Sequence, residues 1–271
     1  MAARQTLPFA KRCGCARILT SRFVPKHVCY NIQRYLCARV NENTEAELHL
    51  GSSKTRERYD ELAAFHTPTS ALQKVLLAVG SASISLLDPT RPEMIAVLGE
   101  TTGHTALKYI HNVMAHDKEG LEILSERPRI NSRTVDLEAL SKMPEGTLGK
   151  VYTDFLKTYK ITPDSRQTVQ FVDDMELAYV MQRKGRECEV AVKWVEGIQT
   201  RLPMCIGGAL FGPLRYGPKY RQKYVKYYLP WAVKTGFEAK FLMNVFYEKR
   251  WEQSVSELLE ELNIKPLKLE P

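Results

Sequence analysis

The stretch SALQKVLLAVGSASISLLDP, residues Ser70–Pro89, indicates the fold class most directly. Ser70 followed three residues later by Gln73 is the pattern of a capping box, in which the two side chains bind backbone amides at the start of a helix. An apolar run follows, and Asp88-Pro89 ends it because proline cannot continue a helix. The stretch therefore predicts a helix that begins after Ser70 and ends near Leu87.

Helical start and stop signals continue along the rest of the chain, whereas strand-like alternation of apolar and polar residues is nearly absent. The sequence therefore predicts an all-α fold, a single compact multi-helix domain, and the lack of a 20–50-residue repeat argues against a solenoid. Beyond the first helix, the predicted elements are Pro92–Thr102 with Gly103 after its end, Thr105–His116, a short helix capped by Asp117 and ending before Arg127, Val151–Tyr159, a turn at 162–165, a helix opened by a capping box of Asp173 and Glu176, Val190–Thr200, a Gly/Pro-rich hinge at Gly207–Pro218, Lys219–Lys234 and Lys240–Leu262.

The net charge of +8 belongs entirely to the first 41 residues. Eight basic residues precede Glu42, the first acidic residue, and the rest of the chain has 31 of each sign. The neutral folded part argues against a broad nucleic-acid-binding surface. A leader without acidic residues predicts a mitochondrial transit peptide over residues 1–41, with a disordered basic tail as the alternative. Residues 42–65 are interpreted as a polar linker and residues 66–271 as the helical domain.

The composition is that of a globular protein, with 44% hydrophobic and 26% charged residues. The segments Val75–Leu87 and Leu202–Leu214 each run for thirteen residues without a charge. Both are shorter than the about 20 apolar residues that span a bilayer, so they predict buried helices or segments at a membrane interface. Only Cys188 and Cys205 follow the leader, which excludes a disulfide scaffold.

The region Arg215–Tyr228 interleaves five basic residues with five tyrosines. Such a helix can lie at the headgroup level of a membrane, with tyrosines at the interface and basic groups on phosphates. It can also stack single-stranded RNA, or be a solvated helix that packs its tyrosines on the core. Membrane contact is favoured over RNA because the neutral domain offers no wider nucleic-acid surface.

All six histidines precede residue 117. His104 and His111 would share a helix face, but no carboxylate lies three or four positions from His111, so ordinary surface or capping histidines are favoured over a metal site. Two other polar segments, Gly99–His104 and Arg127–Arg129, could line a pocket. A helix C-cap and a structural salt bridge are the favoured interpretations of these two segments.

Several short blocks spread over the chain after the leader carry a family resemblance. The blocks are His66-Thr-Pro-Thr-Ser70, Gly99-Glu-Thr-Thr-Gly-His104, Glu126-Arg-Pro-Arg-Ile130, Phe171-Val-Asp-Asp174, Leu177-Ala-Tyr-Val180, Val192-Lys-Trp194, Gly212-Pro213 and Tyr247-Glu-x-Arg-Trp-Glu252. The most specific are the Gly-Glu-Thr-Thr-Gly-His and Tyr-Glu-x-Arg-Trp-Glu blocks. Together these blocks resemble the mitochondrial coenzyme Q (ubiquinone) biosynthesis proteins of the Coq-four family.

The resemblance implies an all-α, lipid-binding protein that is peripheral to the matrix side of the mitochondrial inner membrane. It implies as partners the other coenzyme Q biosynthesis proteins of a multisubunit complex, a polyprenylated benzoate or quinone lipid and the membrane surface, with a homodimer as a further expectation and no nucleic acid. The implied activity is a lyase that removes the carboxylate at carbon 1 of a 4-hydroxy-3-methoxy-5-polyprenylbenzoate, linked in some accounts to hydroxylation of that carbon. The implied cofactor is zinc.

The sequence departs from the family pattern at the zinc signature, His-Asp-x-x-His followed after eleven residues by Glu. The signature belongs between Tyr179–Arg183 and Val192–Trp194, where the chain is about fifteen residues short and holds no histidine. Only Glu189 matches, as the signature's final Glu, and one carboxylate does not make a zinc site. We therefore expect no bound zinc and impaired activity in this chain. A splice variant or gene-model error is the favoured explanation, and a metal-free family member is the alternative.

Two hypotheses about function follow from the sequence. The first is a metal-dependent decarboxylase acting on a polyprenylated benzoate, with catalytic residues unassigned. The second is a non-catalytic scaffold that binds polyprenyl lipid and organises the complex. The two uncharged segments and the tyrosine-rich helix support the second, because they suit an isoprenoid groove that opens on a membrane.

Overall fold

The computed structural model describes residues 62–267, apart from residues 89, 166 and 185–189 and the side chains of residues 190 and 191. Within these ranges the chain forms twelve α-helices after the helical residues 62–65 and no β-strand, which confirms the predicted all-α fold. The described residues belong to one compact unit, Ser53–Pro271. The helices are α1 (Ala71–Leu87), α2 (Pro92–Thr102), α3 (His104–Ala115), α4 (Lys118–Glu126), α5 (Leu137–Ser141), α6 (Leu148–Tyr159), α7 (Met175–Arg183), α8 (Val190–Thr200), α9 (Pro203–Phe211), α10 (Pro218–Lys223), α11 (Leu229–Glu238) and α12 (Val255–Glu261).

Side-chain caps set the starts of α1 and α4 where the sequence predicted them. The Ser70 hydroxyl accepts a hydrogen bond from the Gln73 amide at 3.3 Å, and the Gln73 side chain accepts one from the Ser70 amide at 2.8 Å. Asp117 begins α4 by accepting from the Gly120 amide at 2.8 Å. These bonds satisfy amides that have no partner inside a helix, so the predicted capping box and the predicted cap are confirmed.

The main core forms around α3 and α7. Leu107, Ile110 and Met114 of α3 have no exposed surface, and their spacing of three and four residues places them on one helix face. Ala178 and Val180 of α7 belong to the same cluster. Each fully buried side chain of this size contributes about 1.5–3 kcal/mol by removal of apolar surface from water.

The folded part extends into the stretch predicted to be a linker. Residues 62–65 are helical, and Leu62 is only 3% exposed within the main core. The folded domain therefore begins at or before Leu62 rather than at His66. The predicted transit peptide, residues 1–41, and linker residues 42–61 lie outside the described residues.

The predicted hinge at Gly207–Pro218 is wrong over its first part. Residues Pro203–Phe211 form α9, and a 3₁₀ turn continues over Gly212–Arg215. Met204, Cys205 and Ala209 of α9 are buried. Their burial outweighs the cost of glycine in a helix, about 1 kcal/mol per residue.

The predicted helix Lys240–Leu262 is also wrong, because only α12 is α-helical there. Two 3₁₀ turns, Leu242–Asn244 and Tyr247–Lys249, occupy much of the rest. The Leu242 amide donates to the Gln199 side chain at 3.1 Å, and the Phe246 amide donates to Glu119 at 2.6 Å. Side chains from distant helices thus accept hydrogen bonds from amides that would bind backbone carbonyls in a continuous helix.

The predicted helix Lys219–Lys234 is present but interrupted by one wider turn. Residues Tyr224–Tyr228 form a π-helical turn between α10 and α11, in which the Leu229 amide donates to the Tyr224 carbonyl five residues back. Pro230 follows and has no amide hydrogen. The lost hydrogen bond explains why the helix widens at this point.

The predicted capping box of Asp173 and Glu176 is wrong by one residue. Asp174 caps α7 and accepts from the Glu176 amide at 2.9 Å. The Asp173 carboxylate pairs with Lys74, and the Glu176 carboxylate pairs with Arg127 at 2.7 Å. Cations on other elements therefore draw both side chains away from the helix start.

Candidate functional site

A cavity of about 640 Å³ lies beside the C-terminal end of α7 and along α8. The loop 128–133, α6 and the two 3₁₀ turns before α12 complete its wall. Its size is in the range of small-molecule sites, about 300–1,000 Å³. The cavity adjoins the junction at which the sequence lacks the family's zinc signature.

Helix α7 packs on the core, and its residues Tyr179, Gln182 and Arg183 also line the cavity. The Tyr179 hydroxyl donates to the Pro128 carbonyl at 3.1 Å, and the Gln182 side chain accepts from the Val169 amide at 2.9 Å. Burial raises the pKa of Tyr179 to about 12, so its phenol stays protonated at neutral pH. These bonds hold the wall of the cavity to the loops around it.

Arg183 and Glu248 form a buried ion pair in this wall. The two guanidinium nitrogens lie 2.8 and 3.2 Å from the two Glu248 oxygens, and one of them also donates to the Val245 carbonyl at 2.8 Å. The side chains are 8% and 14% exposed. The bidentate geometry fixes Glu248, which belongs to the Tyr247–Glu252 block, against α7.

Glu196 on α8 pairs with one buried and one partly buried lysine. One of its oxygens lies 2.8 Å from the Lys184 ammonium, and the other lies 2.7 Å from the Lys193 ammonium. The Cys205 thiol donates to the second oxygen at 3.4 Å. Burial by itself would raise the pKa of Glu196, but the two ammonium groups outweigh it and lower that pKa. The three residues Lys184, Glu196 and Lys193 are called the lysine–glutamate triad below.

The segment Gly99–His104 is structural rather than part of the cavity wall. Glu100 is 6% exposed and accepts hydrogen bonds from the Gln170 and Phe171 amides at 2.9 and 3.0 Å. A side chain at Gly99 would overlap the Met204 sulfur, 2.3 Å from the Cβ position. The block therefore joins α2 to the loop before α7 and to α9.

The sequence left two interpretations open for the segment Arg127–Arg129, a structural salt bridge and the lining of a pocket. Each holds for one of its arginines. Arg127 ends α4 in the left-handed conformation, with φ of 49°, and its guanidinium pairs with Glu176. Arg129 lines the cavity. One guanidinium is thus structural, and the other faces the candidate site.

Two of the three histidines singled out by spacing, His111 and His116, form polar contacts with residues nearby in the fold. His111 lies 3.0 Å from Glu176, a carboxylate supplied by another helix, and a His116 ring nitrogen lies 2.7 Å from the Asn112 carbonyl. His104 is exposed at the start of α3.

The described side chains do not fit a zinc ion. Across 62–184 and 190–267, leaving out 89 and 166, no three His, Cys, Asp or Glu side chains are grouped to hold a metal. Both oxygens of Glu196, the carboxylate of the triad, are occupied by ammonium groups. Glu189, the residue matching the family signature, lies outside the described residues. The expected lack of bound zinc stays a prediction.

The tyrosine-rich region is partly core and partly surface. Tyr224 is 3% exposed and accepts a hydrogen bond from the Trp194 indole at 2.7 Å. Tyr216 stacks edge-on against Tyr224 and Tyr220, with ring centroids 5.4 and 4.6 Å apart. The side chains of Lys219, Lys223 and Lys226 are exposed.

Helix α1 presents an apolar surface to solvent. Leu72 and Leu76 are 69% and 62% exposed, and the buried residue of this helix is Ser81. The Arg215 guanidinium donates to the Leu86 carbonyl and so joins the end of α1 to the segment after α9. Among the residues that the structure describes, no helix combines the length and apolarity needed to cross a bilayer. The exposed apolar residues of α1, of α9 and of the 3₁₀ turn after it are called the apolar surface below: Leu72, Val75, Leu76, Val79, Leu86, Leu87, Ile206, Leu210, Phe211 and Leu214.

The triad was not predicted from the sequence, in which Lys184 was noted only as part of the shortened junction before Val192. Lys193 and Glu196 are three residues apart on α8, a spacing that permits an ion pair on one helix face. Nothing in the sequence brings Lys184 to the same carboxylate. That contact depends on how α7 and α8 pack.

The chain is similar to coenzyme Q biosynthesis proteins along most of its length. The family model described as "Coenzyme Q (ubiquinone) biosynthesis protein Coq4" matches residues 64–268. Bombyx mori "Ubiquinone biosynthesis protein COQ4 homolog, mitochondrial" is 53% identical over 222 residues, 76% of this chain and 85% of that protein. The Homo sapiens protein of the same name is 49% identical over 219 residues, 75% and 82% of the two chains.

A solved structure has a similar fold. It is the crystal structure of a putative ubiquinone biosynthesis protein from Nostoc punctiforme PCC 73102. The TM-score is 0.56, with 73% of this chain and 100% of that chain covered. At 18% identity the similarity concerns the fold alone.

Proposed function

The chain belongs to the Coq4 family of coenzyme Q (ubiquinone) biosynthesis proteins, and from that premise we propose that it acts on a polyprenylated 4-hydroxybenzoate in this pathway. The proposed reaction is that of a carboxy-lyase, with impaired activity in this chain because it lacks the family's zinc signature. The bond between ring carbon 1 and the carboxylate breaks, carbon dioxide leaves, and a proton takes its place on the ring.

The observation that carries this proposal is the cavity beside α7. Its wall combines three tyrosine rings, Tyr152, Tyr179 and Tyr247, with cationic groups that include Arg129 and Lys184. Aromatic faces suit a flat ring, and buried cations suit an acidic substituent on that ring. A volume of about 640 Å³ accommodates a substituted benzoate and the first part of a prenyl tail.

The proposed setting is the matrix side of the mitochondrial inner membrane, in a complex with other coenzyme Q biosynthesis proteins. The relatives are named mitochondrial, which supports the compartment. The apolar surface supports membrane contact, because Leu72, Leu76 and Val79 are exposed apolar side chains at helical spacing on α1, and exposed apolar faces mark interaction sites. The exposed lysines of α10 and the π-helical turn supply positive charge for anionic lipid headgroups.

A second candidate function is a non-catalytic scaffold that binds polyprenyl lipid and presents it to partner enzymes. It is favoured by the same apolar surface, together with the lack of a described ligand set for a metal. Such a scaffold would use the cavity to hold the ring without changing it. The two candidates differ in whether carbon dioxide is released by the chain itself.

The deciding experiment follows the carboxylate carbon. The full chain is incubated in liposomes with a 4-hydroxy-3-methoxy-5-polyprenylbenzoate labelled with ¹³C at the carboxylate, and labelled carbon dioxide is measured by mass spectrometry. Release by the purified chain would support the lyase. Bound substrate without release would support the scaffold, and neither binding nor release would refute both.

A further inference from the structure

Three tyrosines line the cavity, and they differ in what their hydroxyls bind. The Tyr179 hydroxyl donates to the Pro128 carbonyl at 3.1 Å, and the Tyr247 hydroxyl donates to the Leu242 carbonyl at 3.4 Å. Within the part of the chain that the structure describes, no group accepts a hydrogen bond from the Tyr152 hydroxyl. Tyr152 therefore brings to the cavity wall a donor that the fold does not use.

Helix α6 and a tryptophan hold the Tyr152 ring in place. Leu148, Tyr152 and Leu156 follow one another at intervals of four residues and so share one helix face, on which Leu156 is buried. The ring also packs on Trp251, with centroids 5.5 Å apart and ring planes tilted by 38°. A ring that is already held in this way loses little conformational entropy when its hydroxyl binds a ligand.

The surroundings of Tyr152 keep its hydroxyl protonated. Partial burial raises the pKa of Tyr152 above its ordinary value of 10.0, and the negative charge of Asp164 raises it further. Asp164 also lines the cavity, and its carboxylate accepts from the Ser132 amide at 3.0 Å. At neutral pH Tyr152 is thus an uncharged donor near a carboxylate. This setting favours an uncharged acceptor, such as a hydroxyl or ether oxygen, over a second carboxylate.

We propose that Tyr152 determines which aromatic ring the cavity accepts, by donating a hydrogen bond to an uncharged oxygen on that ring. A ring with a hydroxyl or methoxy group supplies such an oxygen, whereas a ring with an alkyl group in its place does not. The proposal rests on the proposed function and deepens it, by assigning a residue to the ring oxygen of the aromatic ligand.

The test replaces a ring hydroxyl with a methyl group of similar size. Equilibrium dialysis of the full chain in detergent measures the dissociation constants of 3-farnesyl-4-hydroxybenzoate and 3-farnesyl-4-methylbenzoate. Both compounds have the same carboxylate and tail, so the ratio of the methyl compound's constant to the hydroxyl compound's constant reports on the ring oxygen. This ratio should be about fivefold larger for the wild type than for Tyr152→Phe, because a hydrogen bond between uncharged groups is worth about that much.

Tyr152→Phe keeps the ring that packs on Trp251 and removes a hydroxyl that no described group accepts from, so the variant is expected to fold. Tyr159→Phe is the matched control, because Tyr159 lies on the same helix but is 56% exposed and does not line the cavity. It is expected to keep the ratio of the wild type.

A ratio that falls in Tyr152→Phe alone would support the proposal. Binding of both compounds with the same ratio in the wild type and in Tyr152→Phe would overturn the assignment of Tyr152 and leave the proposed function standing. An equal fall in Tyr159→Phe would also overturn the assignment. Binding of neither compound to the wild type would overturn both the assignment and the proposed function.

Discussion

Replacing Glu196 with Gln tests how strongly the lysine–glutamate triad stabilises the fold. Glu196 is 11% exposed and is the carboxylate between Lys184 and Lys193, so Glu196→Gln removes the charge that pairs with both ammonium groups. Breaking a buried ion pair by removing one partner costs about 3–5 kcal/mol. A loss of this size is a large fraction of the about 5–15 kcal/mol that stabilises a typical domain.

The measurement is urea unfolding at pH 7, followed by circular dichroism. Glu138→Gln is the matched control, because Glu138 pairs with Lys142 at 2.6 Å but is 79% exposed. An exposed pair contributes at most about 1 kcal/mol. If Glu196→Gln loses no more than the control, the view of the triad as a strongly coupled buried group is refuted.

Glu196→Gln should also change how the free energy of unfolding depends on pH. The pKa of Glu196 is lowered in the folded state from its ordinary value of 4.5, so its carboxylate contributes stability above pH 4.5. That contribution is lost as the pH falls through the lower, folded-state pKa. The difference in unfolding free energy between wild type and Glu196→Gln should therefore narrow below pH 4.5. A difference that stays constant down to pH 3 would contradict this assignment.

Three further predictions concern the fold, the surface and the metal. Gly120→Ala should destabilise the domain by about 1–3 kcal/mol in thermal unfolding, because a Cβ there lies 2.4 Å from the Met114 carbonyl oxygen. Gly207→Ala, with no atom within 4 Å of the Cβ position, should instead stabilise it by about 0.5–1 kcal/mol, and a loss in both would refute the steric argument. The double substitution Leu76→Glu, Val79→Glu should weaken sedimentation with anionic liposomes by about tenfold. It should not lower the melting temperature, since both side chains are 62% exposed. Unchanged sedimentation would exclude this surface as the membrane contact. Elemental analysis of the purified chain should find less than about 0.1 zinc per chain, because zinc sites take three or four protein ligands; one tightly bound equivalent would contradict the ligand argument.

Much of the helical architecture could be predicted from local sequence. Ser70 and Asp117 cap their helices as predicted, because a cap depends on atoms within about four residues. The prediction failed over 240–262, where the Leu242 and Phe246 amides bind Gln199 and Glu119. Side chains from distant helices decide that segment, and no local pattern reports them.

The candidate site was predictable only in part. The shortened junction between α7 and α8 and its lack of histidine are visible in the sequence. Of the polar segments proposed to line a pocket, Arg129 does so, whereas Glu100 of the other segment binds backbone amides away from the cavity. The sequence offers charged residues without showing which of them are buried together.

The sequence by itself determined the fold class, the family and the departure from its zinc signature, because caps, apolar runs and motif spacing are properties of neighbouring residues. Only the tertiary structure decided that Lys184 and Lys193 meet at Glu196 in the wall of a cavity. The physical reason is that burying a charge is unfavourable unless it is paired, and the pairing of Lys184 with Glu196 depends on how the successive helices α7 and α8 pack.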